Sequence, residues 1–175
     1  LGADNENPYD IPGMNAASLA TMLSGIPFEG PVAAVRLALI DGAWVVNPTY
    51  EESSAATFDV VVSGRRNDSG EIDILMIEGE APAGAWNLIE AGATKPTEEV
   101  VAQGLDEAKR AMSELIDFQL EFVKAFGVTK RDWTPRPLYT DAVYKDVESF
   151  AATKLSGAIV TDKAAREAAL DAIKV

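Results

Sequence analysis

In the stretch Thr57–Gly64, TFDVVVSG, a carboxylate is set beside a run of valines that otherwise reads as buried strand. Asp59 is the natural place to look for chemistry, because so few other kinds are open to this chain. The 175 residues contain no Cys and no His. That removes thiol nucleophiles, disulfides, zinc sites of the usual Cys/His kind, Ser-His-Asp triads and any imidazole base. Carboxylate, lysine, tyrosine or hydroxyl chemistry remains, with a hard oxygen-bound cation such as magnesium as its natural helper.

Other residues invite a functional reading and have a plainer one. Arg65 and Arg66 flank a turn, where paired basic residues are normally solvated. GRRNDSG lacks the glycine spacing and the following helix of a phosphate loop. Glu98 and Glu99 could pass for metal ligands, but acids at a helix start complement its dipole. Trp44, Trp86 and Trp133 could stack on bases; packing or interface roles are the expectation for each.

The elements that must hold Asp59 follow from pattern. MNAASLATMLSGIP reads as a helix opening at an N-cap, Asn15, with Ala16, Leu19, Leu23 and Ile26 on one face and Gly25 and Pro27 as stops. PVAAVRLALIDGAWVVNP is two apolar runs around Asp41-Gly42, a two-residue hairpin signal. EESSAA is a connector or single helical turn. TFDVVVSGRR, the turn NDSG and EIDILMIEG form a second hairpin. EAPAGAWNLIEAGATKP reads as a surface insertion with one turn of helix near Trp86. Thr97 then caps a helix of about seven to eight turns ending at Gly127, with Val101, Leu105, Ala108, Met112, Leu115, Phe122 and Phe126 on its apolar face. A linker with two prolines follows, and the remainder is helical with a break near Ser156-Gly157. The fold class is α+β: half of an α+β layer at residues 1–127, then the start of an all-α unit at residues 128–175. The first part has too few elements to cover both faces of its own sheet.

Fifteen basic residues face 28 acidic ones, a net charge of −13. Gripping a phosphate backbone needs clustered Lys and Arg, so any surface that binds RNA or DNA is expected elsewhere. No apolar stretch approaches the roughly 20 residues that span a bilayer, and the opening LGADNENPYD lacks the regions of a signal peptide. A cytoplasmic protein, without membrane contact, is the expectation. The lack of an initiator Met and the loop-like start read as a piece of a longer polypeptide.

NAASLA, IPFEGP, VVNPT and DVVVSG, in this order and spacing, resemble the bacterial polynucleotide phosphorylase family. The likeness covers roughly residues 5–126, as the later part of a first RNase PH-like domain. The tail resembles the helical domain that joins the family's two RNase PH-like halves, and the RRNDSGEIDILMIEGEAPAGAWNL region looks actinobacterial. The resemblance implies phosphate-dependent 3′-to-5′ RNA degradation releasing nucleoside diphosphates, with reverse polymerisation. It also implies a homotrimer, magnesium or manganese, phosphate as co-substrate, and KH and OB-fold domains further along the chain. Two alternatives stay open: a catalytically dead assembly or RNA-channel module, and guanosine pentaphosphate synthesis by the full-length protein.

In the catalytic half of such enzymes the matching strand carries Asp-x-Lys, with another Asp six residues upstream. Residues two apart on a strand share a face, roughly 6.6 Å apart, so a carboxylate and an ammonium converge on one phosphate and its metal. Here Asp59 holds the Asp position, Val61 the lysine position and Ser53 the upstream acid position. ENPYD offers nothing like the family's phosphate-binding serines. A lone carboxylate is a poor magnesium site, so this segment is expected to hold no catalytic residue and no metal ligand. Asp59 itself is expected to be a solvated acid at a strand start.

Overall fold

The computed structural model describes residues 2–174, which fall into two units, one ending at Asp132 and one beginning at Trp133.

The first unit is built on a four-stranded antiparallel sheet in the order β2-β1-β3-β4. Its strands are β1 (Val32–Ile40), β2 (Ala43–Val46), β3 (Phe58–Arg66) and β4 (Ile72–Glu80). Asp41 and Gly42 both take positive φ, as a two-residue hairpin turn with the right twist requires. The second hairpin closes through residues 67–71, where the Asn67 side chain accepts hydrogen bonds from the backbone N–H groups of Ser69 and Glu71. The β3–β4 register shifts at Ser63/Gly64, leaving Leu75 unpaired as a bulge.

Strand alternation sorts the two faces. Ala33, Val35, Leu37, Val60 and Val62 face one way and meet Ala108, Met112 and Ile116 of the long helix α4 (Glu98–Phe126) to form the core. Complete burial of the Val, Leu, Ile and Met side chains among them contributes about 1.5–3 kcal/mol each. The α4 helix begins where its sequence says: the Thr97 hydroxyl accepts from the Val100 N–H, and Gly127, at φ 61°, ends it. Trp44 lies over Gly104, where a Cβ would come within 2.5 Å of the indole, and its ring N–H donates to the Val100 carbonyl. Trp44 therefore packs, as expected, while Trp86 on α3 (Ala85–Glu90) and Trp133 are largely exposed.

Two readings of helical faces need correction. The first helix, α1, runs Asp10–Leu23, so Asn15 is interior and caps nothing; Ile11, Ser18 and Met22 are its buried residues. The polar Asn15 and Ser18 are turned inward because they bond the backbone of β1. In α4, Phe122 and Phe126 are exposed. A helix of 29 residues is about 44 Å long, whereas strands of nine residues reach about 30 Å, so its last turns outrun the sheet.

Between β2 and β3, the expected helical turn is α2 (Tyr50–Ser53), held by a reciprocal capping box between Thr49 and Glu52. In the second unit, α5 (Asp141–Ala158) is capped by Thr140 and α6 (Lys163–Asp171) by Asp162. The helix continues through Ser156-Gly157 and breaks only after Ala158. No helix among the described residues is long and apolar enough to cross a membrane.

Candidate functional site

Asp59 is not a solvated acid at the mouth of a strand. It lies within the sheet, paired with Ala38 on one side and Glu80 on the other, and only 4% of its surface is exposed. A buried carboxylate must be paired, and its partner is Arg36 of β1, on the same face of the sheet. One terminal nitrogen of Arg36 donates to Asp59 Oδ1 at 2.6 Å, and the other donates to Asp10 Oδ2, at the start of α1, at 2.8 Å. The guanidinium, on β1, thus bridges two carboxylates from α1 and β3, in the fork geometry that suits arginine better than lysine.

The charges settle accordingly. Burial pushes the Asp59 carboxyl up from its ordinary value, and the neighbouring charges of Glu80 and Asp10 add to this against the pull of Arg36. Burial acts on Asp10 in the same sense, but hydrogen bonds from Arg36 and the Ile11 N–H outweigh it and hold its carboxyl low. Arg36 is held more firmly charged: burial opposes its charge, and the two carboxylates more than compensate.

Two clefts of about 370 Å³ open on either side of this triad. Asp10, Arg36, Asp59 and Glu80 line both. Ser53 and the tyrosines 9 and 50 line the first, while Val61, Met76 and Glu78 line the second. Asp59 thus lines both clefts, Ser53 only the first and Val61 only the second. The last two side chains cannot serve the chemistry their positions imply. Val61 offers no ammonium, and the Ser53 hydroxyl is buried without a hydrogen-bond partner. Asp10 sets a carboxylate beside the cleft, which repels a phosphate.

These donors also fit a divalent ion poorly. The space between the two carboxylates of the triad holds a guanidinium, and among the described residues no three acids converge closely enough to share a metal. Sequence reasoning missed Arg36, the partner of Asp59, and Asp10, which shares it. The signal was a single arginine inside the apolar run AAVRLALI, since an arginine in a sheet interior requires a carboxylate.

The remaining candidates have structural work. Arg66 donates to Asp117 and to Ser113 of α4, tying the second hairpin to the helix, and Arg65 pairs loosely with Glu29. Arg66 is therefore not a free solvated cation, while Arg65 remains exposed. Glu99 is drawn below its ordinary value by its own backbone N–H and the Thr97 hydroxyl, as a helix-start acid should be.

Residues 30–111 match the second domain of the 3′ exoribonuclease family. Over 99% of its length the chain is similar to polyribonucleotide nucleotidyltransferases of actinobacteria: 45% identical to that of Salinispora tropica, 42% to that of Nocardioides sp. and 43% to that of Bifidobacterium animalis subsp. lactis. It spans only 22%, 24% and 20% of those proteins. Among solved structures, cell-death-related nuclease 5 of C. elegans shares the fold, with a TM-score of 0.53 and 17% identity, over 69% of this chain and 58% of that one. The α+β, RNase PH-like half-domain expected from the sequence is thereby borne out, together with the resemblance on which it rested.

Proposed function

We propose, from this chain's match to a segment of the actinobacterial polyribonucleotide nucleotidyltransferases, that it is a scaffold portion of an RNA-degrading phosphorylase. In this reading the full-length protein degrades RNA from its 3′ end with phosphate as co-substrate. It releases nucleoside diphosphates and runs the reverse polymerisation. The division of the chain is proposed as the later part of a first RNase PH-like domain up to residue 127 and the start of a helical domain after it. Magnesium or manganese, phosphate and RNA are bound by other parts of the polypeptide. The protein is proposed to work in the cytoplasm as a homotrimer.

The observation that supports a non-catalytic role here is the bridge Asp10–Arg36–Asp59, in which a fixed guanidinium takes the place between carboxylates that a metal ion would need. Stabilising a phosphoryl transition state calls for cationic groups aimed at the phosphate, and the positive charge of Arg36 is already committed to two acids.

The test uses the full-length protein with poly(A), phosphate and magnesium, reading ADP release. ADP is expected from the parent, and from the Asp59→Asn variant at an undiminished rate. Absence of ADP from an intact, assembled parent overturns the phosphorolytic reading. Loss of turnover in a folded, assembled Asp59→Asn variant overturns the scaffold reading alone.

A further inference from the structure

The margin of β1 that β2 leaves uncovered and the outer edge of β4 are treated in opposite ways. Beyond the reach of the short β2, the outer edge of β1 is sealed residue by residue. Ser18 Oγ accepts from the Val32 N–H, Gln119 donates to the Val32 carbonyl, and Asn15 serves both backbone groups of Ala34. Asn47 does the same for Arg36, accepting from its N–H and donating through its own backbone N–H to its carbonyl. The outer edge of β4 has no counterpart: over its nine residues, none of the described residues donates to or accepts from that side. An unsealed strand edge of this length is a template for another strand.

The side chains along β4 say what kind. Its sequence, IDILMIEGE, carries Asp73, Glu78 and Glu80 and no basic residue. On the α4 side of the sheet, Ile77 remains 52% exposed, because the cover supplied by α4 does not extend past it. On the opposite side, Glu78 and Glu80 stand exposed in consecutive positions of that face. We propose that β4 is a docking edge for an extended protein segment in which apolar residues alternate with Lys or Arg. Such a strand would lay its apolar side chains beside Ile77 and its cations beside Glu78 and Glu80, while its backbone completes the sheet. A second copy is disfavoured as occupant, since β4 against β4 sets acids against acids, and RNA is repelled for the same reason. The inference stands independently of the phosphorolytic reading.

Hydrogen exchange of the full-length protein, followed by mass spectrometry over residues 72–80, tests it. The probes are synthetic peptides of roughly nine residues, one alternating valine with lysine and one alternating valine with glutamate. The outward amides of β4 are expected to exchange fast in the free protein and about tenfold more slowly with the basic peptide, with no change from the acidic one. The double variant Glu78→Lys, Glu80→Lys is expected to weaken binding about tenfold with exchange in β1 and β3 unaltered. Should that variant disturb β1 or β3, Glu78→Gln alone is expected to show a smaller loss of the same sign. Slow exchange of β4 in the free protein means another segment or copy already covers it, and overturns the proposal. So does equal protection by both peptides. Failure of the basic peptide to bind shows that the acids merely keep other strands away, and overturns it too.

Discussion

Asn15 and Ala34 are joined as two strands would be: the Asn15 side-chain amide donates to the Ala34 carbonyl at 2.8 Å and accepts from the Ala34 N–H at 3.0 Å. One side chain on α1 thereby satisfies both backbone groups of a buried strand residue. Replacement by Ala leaves the pair unsatisfied, at a cost of about 1–3 kcal/mol for each buried group. The Asn15→Ala variant of the full-length protein is expected to unfold at lower urea and to exchange the Ala34 amide faster. Unchanged exchange at Ala34 would show that water or another side chain serves equally well.

The triad predicts a strongly asymmetric response at Arg36. Arg36→Met leaves the Asp59 carboxylate buried without its cation, a change worth about 3–5 kcal/mol in comparable buried pairs. Adding Asp59→Leu removes the orphaned charge and is expected to recover most of the loss. The comparison is made by urea unfolding of the single and double variants, with near-additive losses counting against the arrangement.

Opposite pH responses are expected from two acids that share one arginine. The Asp59 carboxyl is pushed up on folding, so its contribution to stability is greatest when protonated and declines as pH rises past its unfolded value. The Asp10 carboxyl is held low, so it stabilises above its unfolded value and this is lost as pH falls through its folded one. Unfolding midpoints measured from about pH 3 to 7 should therefore show Asp59→Asn gaining on the parent as pH rises. Asp10→Asn should fall behind the parent over the same range. Parallel curves for the two variants would mean that Arg36 does not hold them differently.

Much of this architecture is legible in the sequence, and the exceptions are specific. Hairpins, the Thr97 cap and the Gly127 stop were readable because each depends on a few adjacent residues. Asn15 was misread as a cap because a polar residue before an apolar run is the usual sign of a helix start, and its true partner lies 19 residues away. Asp59 was misread for a related reason. Nothing local shows that Arg36, 23 residues earlier, crosses to the same face of the sheet. Phe122 and Phe126 keep the helical period of the core face but pass beyond the strands that would have covered them. Periodicity reports direction around a helix and says nothing of how far its neighbour extends.

That overhang has a mechanical side. Ile116 and Gln119 are the last buried residues of α4; the two turns beyond them pass the sheet, and the chain that follows is tied back by the Arg131 N–H to the Gly25 carbonyl and by Lys130 to the Phe28 carbonyl. Force applied at Phe126 would be shared between those ties and Gln119, whose amide grips the Val32 carbonyl at the sealed margin of β1. Movement of the tip would then be transmitted into the same strand that carries Arg36.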